Sequence, residues 1–177
     1  RMKPAKRSPM RMKAYATFDA YLGTYEFSSG RRIVVARSER RLYSYEPGSE
    51  RVRGLERVDD LTWVAGPTLL VFTPESYRLT FVKSNSGKVI SIRYLEPGSK
   101  PIQGKKSTLY REEFVTFRNG GVTLSGTLLI PTSQGRHPAI VLTHGSGAQD
   151  RNGYLGNIRF MADHLARHGI AVVRLLE

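Results

Sequence analysis

Short apolar segments cut at close intervals by turn signals constrain this chain more than any other feature. From Tyr15 to about Pro101, "TYEF", "RIVVA", "RLYSYE", "LTWVAG", "TLLVFT", "YRLTFVK" and "KVISIRYLE" follow one another. Ser28-Ser29-Gly30, Pro47-Gly48, Gly66-Pro67 and Ser84-Asn85-Ser86-Gly87 punctuate the series. Such residues set the backbone angles of tight turns, and β-branched and aromatic side chains between them suit strands. Alternation is clear at Tyr77, Leu79, Phe81 and again at Val89, Ile92, Tyr94, where one slip reads as a β-bulge. Helical period is missing from this half. The expectation is a small antiparallel β domain of six or more strands, curled or barrel-like.

"PGSKPIQGKKS", Pro97 to Ser107, offers little to bury and reads as a boundary. The expected division is a basic leader (1–14), the β domain (15–101), a linker (102–111) and a second unit (112–177). In that unit a hairpin turns at Asn119-Gly120-Gly121, and "PAIVLTHG" is a continuous apolar strand of the kind buried on both faces. "NIRFMADHLARHG" follows as a helix, with Ile158, Met161, Ala162 and Leu165 on one face and Gly169 as its cap. "IAVVRLL" is another strand of the buried type, completing a right-handed βαβ unit.

Charge needs dissection before it is read as function. The net charge is +13, yet residues 1–13 hold six of the 28 basic residues and no acid. Such a leader is usually a solvated tail, and its functional alternative is contact with a polyanion or a membrane surface. No apolar run is long enough to span a bilayer as a helix. Without cysteines there are no disulfides, thiol nucleophiles or cysteine metal sites, and both the cytosol and an exported location remain open, with a lean to export. The chain starts at Arg1 and has no signal-peptide core, so processing or cutting from a longer protein is expected.

The turn "HGSG" after the strand can aim several backbone N–H groups at one point. Glycine permits the required backbone angles, and such a nest suits a phosphate or the oxyanion of an acyl-transfer intermediate. Neither G-x-x-x-x-G-K-[ST] nor G-x-G-x-x-G is present, which weakens the phosphate reading.

"FRNGGVTLSGTLLIP", "HPAIVLTHGSGAQDRNG" and "FMADHLARHGIAVVRL", in this order, resemble the N-terminal portion of a bacterial α/β-hydrolase over about Glu112 to Leu175. The region from "YLGTYEF" onward is similar to small accessory β domains attached to bacterial serine hydrolases. The resemblance implies the first strands and first helix of an α/β-hydrolase sheet. It also implies ester or amide hydrolysis through an acyl-enzyme, on a small ester or peptide, without a metal or other cofactor. On that implication the backbone N–H of Ser146 is the oxyanion donor, Gly145 and Gly147 shape the turn, and His144 braces it. The Ser146 hydroxyl is not read as the nucleophile, because no G-x-S-x-G surrounds it or occurs elsewhere. The chain would therefore carry an oxyanion hole without a nucleophile and be inactive alone. The family usually continues after "AVVR" with an acidic pair, an arginine and a glycine, whereas here Leu176-Glu177 closes the sequence, as a vector junction or a genomic truncation would.

Other candidates have plainer readings. Asp150 and Arg151 are expected as a loop-bracing ion pair, with substrate contact the alternative. His164 and His168 stand at i, i+4 without the glutamate of H-E-x-x-H, so no metal is expected. Tyr21, Tyr25, Tyr43, Tyr45, Trp63 and Tyr77 either fill a small barrel or line a ligand cavity in it. The functional alternatives to a hydrolase fragment are a non-catalytic ligand- or partner-binding β module and polyanion binding through the leader, with no specific nucleic acid. The strand at Ala139–Thr143 is expected to lie at a sheet edge, beside the strand at Ile170–Leu175, so that the second unit either self-associates through it or is only loosely folded alone.

Overall fold

The computed structural model describes residues 18–38, 41–49, 51–143, 145 and 151–176. Eight strands, β1 (Gly23–Phe27), β2 (Arg32–Ser38), β3 (Arg41–Glu46), β4 (Arg51–Arg57), β5 (Thr62–Ala65), β6 (Tyr77–Lys83), β7 (Val89–Leu95) and β8 (Ile102–Lys106), pair antiparallel in chain order. The β8–β1 ladder, with Tyr25 opposite Lys106 and Phe27 opposite Gly104, closes them into a barrel. Alternation along each strand sends one set of side chains inward, and the interior of an eight-stranded barrel is just wide enough for side chains to fill. Here Tyr25, Ile33, Leu42, Leu55, Trp63, Leu79, Phe81 and Ile92 fill it, each 3% exposed or less. Ring contacts at 4.6 to 6.1 Å, such as Tyr21–Phe81 and Tyr21–Trp63, tie these layers together. The slip in the β7 pattern is a true irregularity, since Val82 faces Ser91 but Lys83 faces Val89, which turns Ile90 outward.

Two segments depart from expectation. Residues 102–111, expected as a linker, supply β8 and the start of the next strand. The pattern hid β8 because its inward position is Gly104, where the Phe27 ring lies so close that a Cβ would sit 2.9 Å from it. "TLLVFT", expected as a strand, is instead a loop. The Thr68 hydroxyl accepts from the N–H of Leu70 and Val71 at 3.4 and 3.2 Å, which turns the chain away from the ladder. The loop then crosses the barrel wall at Gly54 and Gly66, where added side chains would collide with the Leu69 and Val71 carbonyls.

A second sheet follows after only Ser107–Leu109. Strands β9 (Tyr110–Asn119), β10 (Val122–Pro131), β11 (Ala139–Leu142) and β12 (Ala171–Leu176) lie in the order β11-β12-β10-β9. Only β11 and β12 run parallel; β12–β10 and β10–β9 are antiparallel. After a short 3₁₀ turn (Tyr154–Gly156), helix α1 (Asn157–Arg167) covers one face. The helix ends as its glycine predicts: Gly169 has φ 85°, with Ile170 N–H donating to the Leu165 carbonyl at 3.1 Å and Gly169 N–H to the Ala166 carbonyl at 3.2 Å. Its buried residues are Ile158, Arg159, Ala162, Asp163 and Ala166, while Met161 is 51% exposed. The buried stripe is thus rotated from the expected one, because α1 is wedged between two surfaces. Ala162 and Ala166 pack on Leu129 and Val172 of the sheet, and Phe160 lies 5.1 Å from Tyr45 on the barrel's outside.

This architecture corrects the expected α/β-hydrolase portion. The molecule is mostly β, built on a closed antiparallel barrel with one short helix among the described residues, and its second sheet is small and largely antiparallel. The barrel half of the expectation stands.

Candidate functional site

Two features stand apart from the packed interior. The barrel itself is not one of them: Tyr21, Tyr25, Trp63 and Tyr77 are each 9% exposed or less and pack in its core, Tyr43 is buried outside that cluster, and Tyr45 points out against α1. The first feature is the outer edge of β11. Its single described neighbour is β12, and all of Ala139, Ile140 and Val141 are exposed, Ile140 at 41% and Val141 at 58%. Nothing charged interrupts the strand, and α1 covers only one of the two faces, leaving Phe117 and Val141 on the other open to solvent.

The second feature is a cleft of about 350 Å³ where barrel and sheet meet. The barrel contributes Lys106 from β8, with Asp19 and Thr24 near the start of β1; the sheet and its helix contribute Glu112, Arg174 and Arg159; Arg151 enters from the loop before α1. Glu112 is the hub. Its Oε2 accepts from Arg159 Nη1 at 2.7 Å and from Arg174 Nη2 at 3.1 Å. Arg159 Nη2 also lies 2.6 Å from Oε1, within ion-pair range but out of line for a hydrogen bond. Arg174 Nη1 donates to Asn152 Oδ1 at 2.7 Å. Behind this pair, Asp163 Oδ1 accepts from the Tyr110 hydroxyl at 2.7 Å and from the Thr24 hydroxyl, joining helix, sheet and barrel.

The electrostatics are lopsided. Arg159 and Arg174 are each 1% exposed, and burial of a charge is costly unless it is compensated. Burial alone would raise the Glu112 carboxyl, but Arg159, Arg174 and Lys106 override it and hold it down at about 2. Burial, then the Arg159 charge, pushes Lys106 down to about 8 against the pull of Glu112. The same two effects push Arg174 down, although a guanidinium keeps its proton at neutral pH. Arg159 goes the other way: burial opposes its charge, but Glu112 holds it above the ordinary value.

The residues singled out from sequence fall elsewhere. His144, Ser146, Gly147 and Asp150 lie outside the described residues; Gly145 is described, next to the end of β11. Arg151 reaches the barrel, with Nη2 3.2 Å from Asp19 Oδ2; its expected pairing with Asp150 falls outside the described residues. The leader, residues 1–14, also lies outside the described residues. His164 and His168 stack at 4.4 Å, and among the described residues no group of three or more His, Asp or Glu is placed to hold a metal. Sequence reasoning missed Lys106, Glu112, Arg159 and Arg174. The signal was present: Arg174 interrupts "AVVRLL", and Arg159 lies one position from Ile158 on the buried stripe. A charge inside an apolar run needs a partner from another element.

No described helix is long and apolar enough to cross a membrane. The chain matches no family model, no curated protein and no solved structure. With the fold described above, this leaves the resemblance to an α/β-hydrolase fragment without support, and the chain's function is argued from its own surfaces.

Proposed function

We propose that the chain is a non-catalytic binding module that engages its partner by strand addition along β11. The observation that supports this reading is the edge itself: an uncharged, proline-free run of Ala139, Ile140, Val141 and Leu142, paired on one side only among the described residues. An unpaired row of N–H and C=O groups flanked by apolar side chains is a template for another strand, and natural edges are normally blunted by charge, proline or a bulge. β-Strand addition draws affinity from the main-chain bonds and selectivity from alternate side chains. The occupant is β11 of a second copy. Antiparallel pairing about a twofold axis perpendicular to the sheet sets Ile140 against Ile140 of the second copy and Ala139 against Val141, with no like charges opposed, and gives the self-complementary contact such symmetry requires. Light scattering on the full chain should show a dimer that dissociates on dilution. Val141→Lys, at a position already 58% exposed, should give a monomer with unchanged far-UV circular dichroism. A wild-type chain that stays monomeric at all concentrations, with amides of 139–142 protected from exchange, would defeat the reading.

A further inference from the structure

The junction cleft carries an inference independent of the β11 edge. Its walls present Lys106, Arg151, Arg159 and Arg174 against two carboxylates, Asp19 and Glu112. Both carboxylates are already shared. Glu112 is divided between Arg159 and Arg174, and Asp19 between Arg151 at 3.2 Å and Arg37 at 3.0 Å. Lys106 has no carboxylate within ion-pair distance among the described residues; its ammonium contacts the Ala20 carbonyl at 3.3 Å and lies 5.9 Å from the Tyr25 ring. The nearby Asp163 spends its Oδ1 on two hydroxyls. Two buried donors, Arg159 Nε and Arg174 Nε, have no hydrogen-bond partner. Buried polar groups are seldom left so, and each orphan calls for an explanation.

We propose that the junction cleft binds a small oxyanion, a carboxylate or a phosphate, between Lys106 and the Arg159–Arg174 pair. The chemistry fits on three counts. The Nη groups of Arg159 and Arg174 are engaged by Glu112 and Asn152, so the pair offers an oxyanion its charge and its remaining N–H groups, and an ammonium supplies a point charge beside them. The site is preorganised, since Glu112 and Asn152 hold Arg174 at 3.1 and 2.7 Å and the fold need not rearrange to aim it. The volume of about 350 Å³ accepts an ion the size of sulfate or malonate. Arg151, 22% exposed at the rim, would meet the ligand's outer charge.

Calorimetric titration of the full chain with sulfate, phosphate and malonate, each against chloride at equal ionic strength, tests this. A saturable heat with at least one oxyanion and none with chloride is expected, and the malonate and phosphate arms tell the two chemistries apart. Lys106→Met keeps the length of the side chain and should weaken binding about tenfold, as loss of a charge-assisted hydrogen bond does. Should that variant lose its far-UV signature, Arg151→Gln is read in its place, with a several-fold loss expected. Heats no larger than those of chloride for all three anions, or unchanged affinity in the folded variant, overturn the proposal. Neither result bears on the state of association, which depends on β11.

Discussion

The barrel and the four-stranded sheet answer the same problem, how to bury one face of a small β structure, in opposite ways. In the barrel every strand has two neighbours, and a contiguous core of apolar and aromatic side chains closes on itself. Among the described residues the sheet has free ends at β11 and β9, and its buried apolar cluster is Leu129, Ala162, Ala166 and Val172, with Tyr110, Leu142 and Leu165 packed against it. What the sheet lacks in apolar area it replaces with ions, namely Glu112, Arg159, Arg174 and Asp163. Closure lets a short sequence stand on hydrophobic burial, which is non-directional and tolerant. An open sheet must lean on something, and the polar groups it leans through are demanding, because each loses stability when a partner is removed.

The largest expected effect comes from breaking the stronger side. Phe81→Ala, at 1% exposure, should cost about 3–5 kcal/mol by leaving a cavity in the barrel. Trp63 is the chain's single tryptophan and sits in that core, so its fluorescence during urea unfolding reads the barrel directly. If the sheet leans on the barrel, amides of α1 should lose protection in the same variant. Persistent protection there would show the sheet to be independent and would break the contrast drawn above.

Glu112→Gln addresses the other side. It leaves Arg159 and Arg174 without their shared carboxylate and should cost about 2 kcal/mol, less than breaking a fully buried pair because the Glu112 side chain is one-third exposed. The loss should appear as faster exchange in α1 and β12, with the urea midpoint of Trp63 fluorescence nearly unchanged. An equal shift in both probes would mean that the two sheets unfold as one unit.

The smallest effect is acid sensitivity. The Glu112 carboxyl is lower in the folded chain, about 2, than its ordinary 4.5. Its contribution is therefore fully present above about pH 4.5 and is lost as pH falls toward 2. The side chain is one-third exposed, so screening reduces the effect to about 1–2 kcal/mol. Exchange in α1 should accelerate over that window in the wild type and not in Glu112→Gln.

The same contrast explains what the sequence made legible. Barrel strands announce themselves because inward and outward positions alternate in chemistry, as Tyr77, Leu79 and Phe81 do in β6. β8 stayed hidden because the barrel asks of it a glycine, dictated by the ring of Phe27 across the ladder. "TLLVFT" misled in the other direction: its apolar residues cover glycines on the outer wall instead of joining the ladder. The cleft was least legible of all. Lys106, Glu112, Arg159 and Arg174 come from four elements, and only the chain's return through α1 to β12 brings them together. Local pattern reading sees periodicity within an element; it has no view of a charge balance struck between elements.

Ser107–Leu109, the three residues between β8 and β9, can span at most about 11 Å. A tether that short keeps barrel and sheet at an effective mutual concentration in the millimolar range or above. Contacts across the cleft are consequently intramolecular events. An interface whose separated halves would meet only weakly is still closed for most of the time when they cannot diffuse apart. The junction can therefore tolerate side chains that add little to docking, among them cations whose partners are incomplete.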